Sequence, residues 1–146
     1  MATNDLTVAS GYEAVAYQGY NFVVAERVVS AATLTNKAAT DTIDVLDIPA
    51  NSFVIAAGVE VITADTTGSS PTLSLGDSSS ATQFLSASSN PKASAGTVVA
   101  SAATTWKFYK TTSPLRVTIN TAALTNAVFR VFAYIVRDTG NTAVEV

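Results

Sequence analysis

The run from Ala127 to Val136 constrains this chain more than any other stretch. One parity carries Phe129, Val131, Ala133 and Ile135; the other carries Val128, Arg130, Phe132, Tyr134 and Val136. Successive side chains of a strand point to opposite faces. A strand apolar on both faces needs cover on both. The run therefore predicts a strand with the core beneath it and an intersubunit contact or a second layer above it.

The rest of the chain repeats the two-residue period. Leu115, Val117 and Ile119 alternate with Arg116, Thr118 and Asn120, which predicts one buried row and one outward row. Thr42 to Val45 alternates, placing Ile43 and Val45 together; the parity then slips, because Leu46 and Ile48 continue on the other one. A β-bulge near Val45–Asp47 repairs that slip. Phe53 to Ile62 is a strongly apolar run, and its Gly58 suggests a bend or bulge. Further strands are expected around Phe22–Val29, Thr72–Leu75, Thr97–Ala100 and Trp106–Tyr109. Ser78 to Ala95 reads as a long loop, pinned to the body by Phe84 and Leu85. No helical period and no short internal repeat is present. About eight strands separated by turn-rich loops predict an all-β, antiparallel two-layer sandwich, with a jelly roll first and an immunoglobulin-like sandwich as the alternative. The division expected is an N-terminal arm over 1–20, a sandwich over 21–138 and a short polar tail over 139–146. The arm is rich in Tyr, and Tyr12, Tyr17 and Tyr20 are read as docking anchors; an ordinary edge strand is the competing reading.

Composition narrows the chemistry. Of 146 residues none is His and none is Cys, and charged residues make up 13%. A Ser-His-Asp triad cannot be built from this chain. Asp41, Asp44 and Asp47 are the one acidic cluster, and a glycosidase needs two carboxylates flanking its substrate. A plain strand turns Asp41 and Asp44 to opposite sides, so these read as solvent-facing residues beside a turn. Asp65 and Asp77 lie in loops rich in Gly and Ser. They lack the ligand spacing of a calcium loop and read as turn caps rather than Ca²⁺ ligands. No catalytic residue, metal or cofactor is assigned. Trp106 and Phe108 share one parity and are read as core, with Tyr109 at the rim; a sugar-stacking platform is the competing reading. The net charge is −3 and the basic residues are scattered, which argues against nucleic acid as the main partner. No stretch approaches the roughly 20 apolar residues of a membrane helix. With mean hydropathy at +0.32 and little charge, much of the surface is expected to be covered by a partner.

Asp47-Ile48-Pro49-Ala50-Asn51-Ser52-Phe53-Val54-Ile55, then Gly58-Val59-Glu60-Val61-Ile62-Thr63, form the first part of a familiar pattern. Leu73-Ser74-Leu75-Gly76-Asp77, with Gln83-Phe84-Leu85 after it, and the ending Val128 to Asp138 complete it. This pattern resembles small tailed-phage virion proteins, in particular head decoration (cement) proteins, over roughly residues 41–138. The resemblance implies a structural, non-enzymatic protein, made in the host cytoplasm, that binds the major capsid protein on the outer surface of the virion. A homotrimer is expected as well, from the two-sided Val128–Val136 run and the low charge, and Phe132 and Tyr134 join the three tyrosines as expected interface residues. A receptor- or glycan-binding head of a fibre or spike is the alternative.

Overall fold

The structure is a computed structural model and describes residues 3–4, 20–66 and 68–138. The described residues form ten strands: β1 (Thr3–Asn4), β2 (Tyr20–Ser30), β3 (Thr42–Ile48), β4 (Ser52–Thr63), β5 (Thr72–Gly76), β6 (Leu85–Ser89), β7 (Val98–Ala100), β8 (Lys107–Tyr109), β9 (Ser113–Asn120) and β10 (Val128–Asp138). A 3-10 turn, Ala31–Thr33, follows β2.

All pairings are antiparallel. One sheet runs β1-β2-β10-β4, with β7 and β8 both pairing the far side of β4; the other runs β3-β9-β5-β6. With β1 set aside and β7 and β8 taken as one interrupted strand, eight strands remain. Their orders are first-eighth-third-sixth and second-seventh-fourth-fifth, the connectivity of a jelly roll. The Tyr12 and Tyr17 anchors and the 139–146 tail lie outside the described residues. Tyr20 opens β2, one residue before the expected sandwich boundary.

The period-two reading holds where it was cleanest. Leu115, Val117 and Ile119 are fully buried, as are Phe129, Val131 and Ala133 across the core from them. The outward row of β9, Arg116, Thr118 and Asn120, is half-buried. The bulge in β3 falls at Val45: Asp44 is opposite Arg116 and Leu46 is opposite Leu115, so one extra residue is accommodated. That shift buries both Val45 and Ile48. The turn into β4 places Asn51 at φ 56°, a left-handed conformation Asn tolerates well. Ser52 closes the turn by donating its hydroxyl to the Pro49 carbonyl.

Two expectations need correction. The Ser78–Ala95 stretch is not structureless, because β6 lies within it; Phe84 and Leu85 do pin it, at 4% and 5% exposure. Gly58 is not a bulge. The bulges of β4 fall at Ile55 and Ile62, where two residues oppose one step of β10. Gly58 sits directly opposite Phe132, whose ring crosses over it: a Cβ there would lie 2.5 Å from Phe132 Cζ and 2.7 Å from the Val99 carbonyl oxygen. The glycine is a site of close approach.

Candidate docking surface

The outer face of the six-stranded sheet is built by the second parity of β10 and its neighbours. Cross-strand register places Phe22 and Phe53 on either side of Val136, and Val24 and Ala56 on either side of Tyr134. It places Glu26 and Gly58 beside Phe132, and Val28 and Glu60 beside Arg130. β8 extends the row, because Phe108 pairs with Phe53. The small residues Ala56 and Gly58 leave space for the rings of β10 to lie over β4.

The face divides into an aromatic part and a charged end. Phe22 and Tyr134 stack with centroids 6.0 Å apart, and Phe132 lies 5.8 Å from Tyr134. Phe53 contacts Phe108 at 4.7 Å and Trp106 at 6.0 Å. Aromatic pairs at such distances contribute beyond their buried area. At the charged end, Arg130 pairs with Glu60 at 3.2 Å and approaches Glu26 at 3.8 Å. Trp106 is 61% exposed, Phe108 47% and Tyr134 37%. At 150–250 Å² per aromatic side chain, these three rings leave roughly 300 Å² open to solvent. Val24 and the half-buried Phe22, Phe53, Phe132 and Val136 enlarge the patch to the size of the largest apolar patches on soluble proteins, which often serve binding.

Phe132 and Tyr134, expected at an interface, both lie on this face. Trp106 and Phe108, expected in the core, lie on it too, while Tyr109, expected at the rim, is buried. The shared parity of Trp106 and Phe108 was right and its direction was reversed. The reason is Asp77, a carboxylate held inside the fold at 3% exposure. Its Oδ1 accepts from the Ser79 N–H (2.8 Å), the Ser79 hydroxyl (2.6 Å) and the Ser80 N–H (3.0 Å). Its Oδ2 accepts from Lys107 Nζ (2.7 Å) and the Tyr109 hydroxyl (2.6 Å). Burying a carboxylate is unfavourable without such donors. β8 therefore turns Lys107 and Tyr109 toward Asp77, which leaves Phe108 facing out.

The electrostatics of this centre follow from its contacts. Burial opposes ionisation of Asp77, but hydrogen bonds from Lys107, Ser79 and Tyr109 outweigh it and hold the carboxyl well below the usual range. Burial, reinforced by the hydrogen bond to Asp77 and by its charge, holds the Tyr109 phenol well above its usual range. An ionised carboxylate and a phenol kept neutral, with Lys107 bonded to the same carboxylate, tie the loop after β5 to β8.

The other acidic residues also read as structural. Asp65 Oδ2 accepts from the backbone N–H groups of Thr125 (2.7 Å), Asn126 (3.3 Å) and Ala127 (3.2 Å), binding the loop after β4 to the loop before β10. Both Asp65 and Asp77 thus cap loops, as expected, from deeper positions than a surface turn. Asp41 is half-buried and accepts from the Ala38 N–H at 2.7 Å. Asp44 makes a two-pronged pair with Arg116 at 2.6 and 3.0 Å, and Asp47 is exposed. The hydrogen bond and charge of Arg116 hold the Asp44 carboxyl below its usual range. Among the described residues no group of three or more carboxylates gathers at one point, and no helix is long and apolar enough to cross a membrane.

No protein-family model matches the chain, and no curated protein does. Solved structures do. A chain of the cyanophage Pam1 capsid asymmetric unit superposes with a TM-score of 0.67 at 22% identity, covering 88% of this chain and 91% of that one. A chain of the Ralstonia phage GP4 capsid gives 0.56 at 19% identity, covering 81% and 84%. A chain of the acid-stable capsid of Helicobacter pylori bacteriophage KHP30 gives 0.54 at 15% identity, covering 77% and 86%. At these identities the likeness establishes a shared fold, and the chains that share it come from phage capsids.

Proposed function

We propose that this chain is a structural protein of a phage virion that binds the outer surface of the capsid and stabilises the shell, as decoration or cement proteins do. The observation that carries the reading is the exposed aromatic face on a jelly roll whose structural relatives are capsid chains. A sheet face bearing Trp106, Phe108, Tyr134 and Phe132 is suited to binding by shape and buried area rather than by reaction. Apolar burial contributes about 25 cal/mol per Å² before the costs of association. Repetition over a lattice turns modest contacts into durable attachment. The protein acts as a homotrimer bound to the major capsid protein, without enzymatic activity or cofactor, and is made in the host cytoplasm. Tyr12 and Tyr17 anchor an N-terminal docking arm that leads into β2 at Tyr20, since Tyr combines an apolar ring with a hydroxyl suited to a partly wet boundary.

The test is co-sedimentation of the purified protein with heads of its parent phage that lack it. Binding that saturates at a fixed number of copies per head supports the reading. Replacing Trp106 and Phe108 together by Ser is expected to weaken that binding at least tenfold. The exposed Trp106 also favours a second reading, in which the face stacks against a sugar in a receptor- or glycan-binding head module. Specific hits on a glycan array, with no binding to heads, select that alternative.

A further inference from the structure

The topology leaves one flank of the sandwich where the edges of β2 and β3 lie side by side. β2 pairs with β10 through eleven unbroken steps. On its other side, among the described residues, it meets only β1, opposite Phe22 and Val23. Residues 24–30 therefore present an edge with no described strand beside it. The remaining edges are guarded in the ways proteins use against unwanted pairing. β7 and β8 have three residues each, β6 is short with a register break, and β3 carries the Val45 bulge. β2 is long and unbulged.

The flank has a particular charge pattern. Arg27 lies on the inward row of β2 yet is exposed; its Nη1 is 3.5 Å from the Val45 carbonyl oxygen, and no described carboxylate pairs with it. On the opposite rim, Asp47 of β3 is exposed and likewise unpaired among the described residues, whereas Asp44 is held by Arg116 at 2.6 Å. Between the rims run two shallow hollows of about 340 and 280 Å³, with Leu46 in the first, Val28, Leu34 and Ile43 in the second, and Val45 shared. Val28 is 51% exposed. The flank thus offers a cation from β2 and an anion from β3, both lining the first hollow and neither in an ion pair among the described residues, with apolar surface beside them that a neighbouring copy can cover. Direct pairing of two β2 edges is disfavoured, because full overlap of residues 24–30 sets Arg27 against Arg27 of the partner subunit, and like charges directly opposite destabilise.

We infer that this flank is the copy-to-copy contact of the trimer, with the β2 edge of one copy set against the β3 edge of the next and Arg27 paired with Asp47 of the partner subunit. The contact is head-to-tail: each copy offers its β2 rim to one neighbour and its β3 rim to the other, and under a threefold rotation it closes into a ring. The inference rests on the homotrimer reading and names the surface that makes it. It leaves the aromatic outer face free to meet the shell.

Native mass spectrometry of the full chain at low micromolar concentration tests it, beside far-UV circular dichroism to follow the fold. The wild-type protein is expected at three times 15.0 kDa. Arg27→Asp and Asp47→Arg are each expected to shift association at least tenfold toward monomer with the β spectrum kept, and the double variant to regain the trimer. Should a reversal unfold the chain, Arg27→Gln and Asp47→Asn remove the charge more gently and are expected to weaken the trimer in the same direction. A wild-type monomer or dimer overturns the trimer reading and this inference together. A wild-type trimer that persists in both charge variants, or a double variant that stays monomeric, overturns the inference alone. A lowered thermal midpoint with unchanged mass assigns Arg27 and Asp47 to a pair within one copy and overturns it as well.

Discussion

Asp77→Ala removes the carboxylate that ties the loop after β5 to β8. Five hydrogen bonds are lost, and the groups that made them differ in what they can do afterwards. The Ser79 hydroxyl and Lys107 Nζ reach solvent: Ser79 is exposed, and the Lys107 side chain keeps 27% of its surface in water. Tyr109 is 5% exposed and its hydroxyl loses its described acceptor. Leaving a buried donor unsatisfied costs about 1–3 kcal/mol, and breaking a fully buried ion pair about 3–5 kcal/mol. With the lysine able to rehydrate, the expected loss lies near 3 kcal/mol, between these ranges. Urea unfolding at fixed protomer concentration measures it, since association feeds into apparent stability. Tyr109→Phe in the same background completes a double-mutant cycle, with an expected coupling of about 1–2 kcal/mol. A loss under about 1 kcal/mol for Asp77→Ala, or strict additivity with Tyr109→Phe, would refute the argument that Asp77 sets the facing of β8.

Gly58→Ala is expected to destabilise by about 1–3 kcal/mol in the same assay; the Phe132 ring can swing aside, but the Val99 carbonyl 2.7 Å from the new Cβ cannot do so without moving the β7 backbone. Val117→Ala and Leu115→Ala are each expected to cost about 2–5 kcal/mol, whereas Thr118→Ala on the opposite row should change stability by about 0.5 kcal/mol or less, its buried hydroxyl having no hydrogen-bond partner among the described residues to lose. Asp77 titrates lower in the folded state than its unfolded value of about 3.9, so its contribution is complete above that pH and fades as acid drives the pH through the folded value. Unfolding midpoints between pH 5 and pH 2 should therefore fall less steeply in Asp77→Asn than in the wild type. Tyr109 is shifted the other way: its contribution holds below its unfolded value of about 10 and is lost at more alkaline pH, so Tyr109→Phe should flatten the alkaline limb of the same curve.

Much of the architecture is legible in the chain because burial acts on alternate residues. Leu115, Val117 and Ile119 declare their face, and the parity slip after Val45 announces the bulge that buries both Val45 and Ile48. The double-sided run of β10 marks a strand whose inner row is core and whose outer row is the aromatic face. What stays hidden are choices between two equivalent parities. Trp106 and Phe108 share a face in any strand, and nothing local says whether that face is inner or outer. The choice is made 30 residues away, where Asp77 draws Lys107 and Tyr109 inward. A Lys-x-Tyr pair that could serve a distant loop acid is the one signal that pointed there. Gly58 is similar: its need for a missing Cβ comes from Phe132 on β10 and from β7, both remote in sequence. β6 escaped because Leu85-Ser86-Ala87-Ser88-Ser89 carries little apolar alternation, and its strand state comes from pairing with β5.

We propose that the jelly roll holds the aromatic outer face of its six-stranded sheet against a phage shell. Cryo-electron microscopy of the parent particle tests it most directly. Density for this sandwich is expected at regular positions on the outside of the capsid, with Trp106, Phe108, Phe132 and Tyr134 turned onto the major capsid protein. Particles whose shells lack the sandwich, or carry it with those four rings facing open solvent, would contradict it.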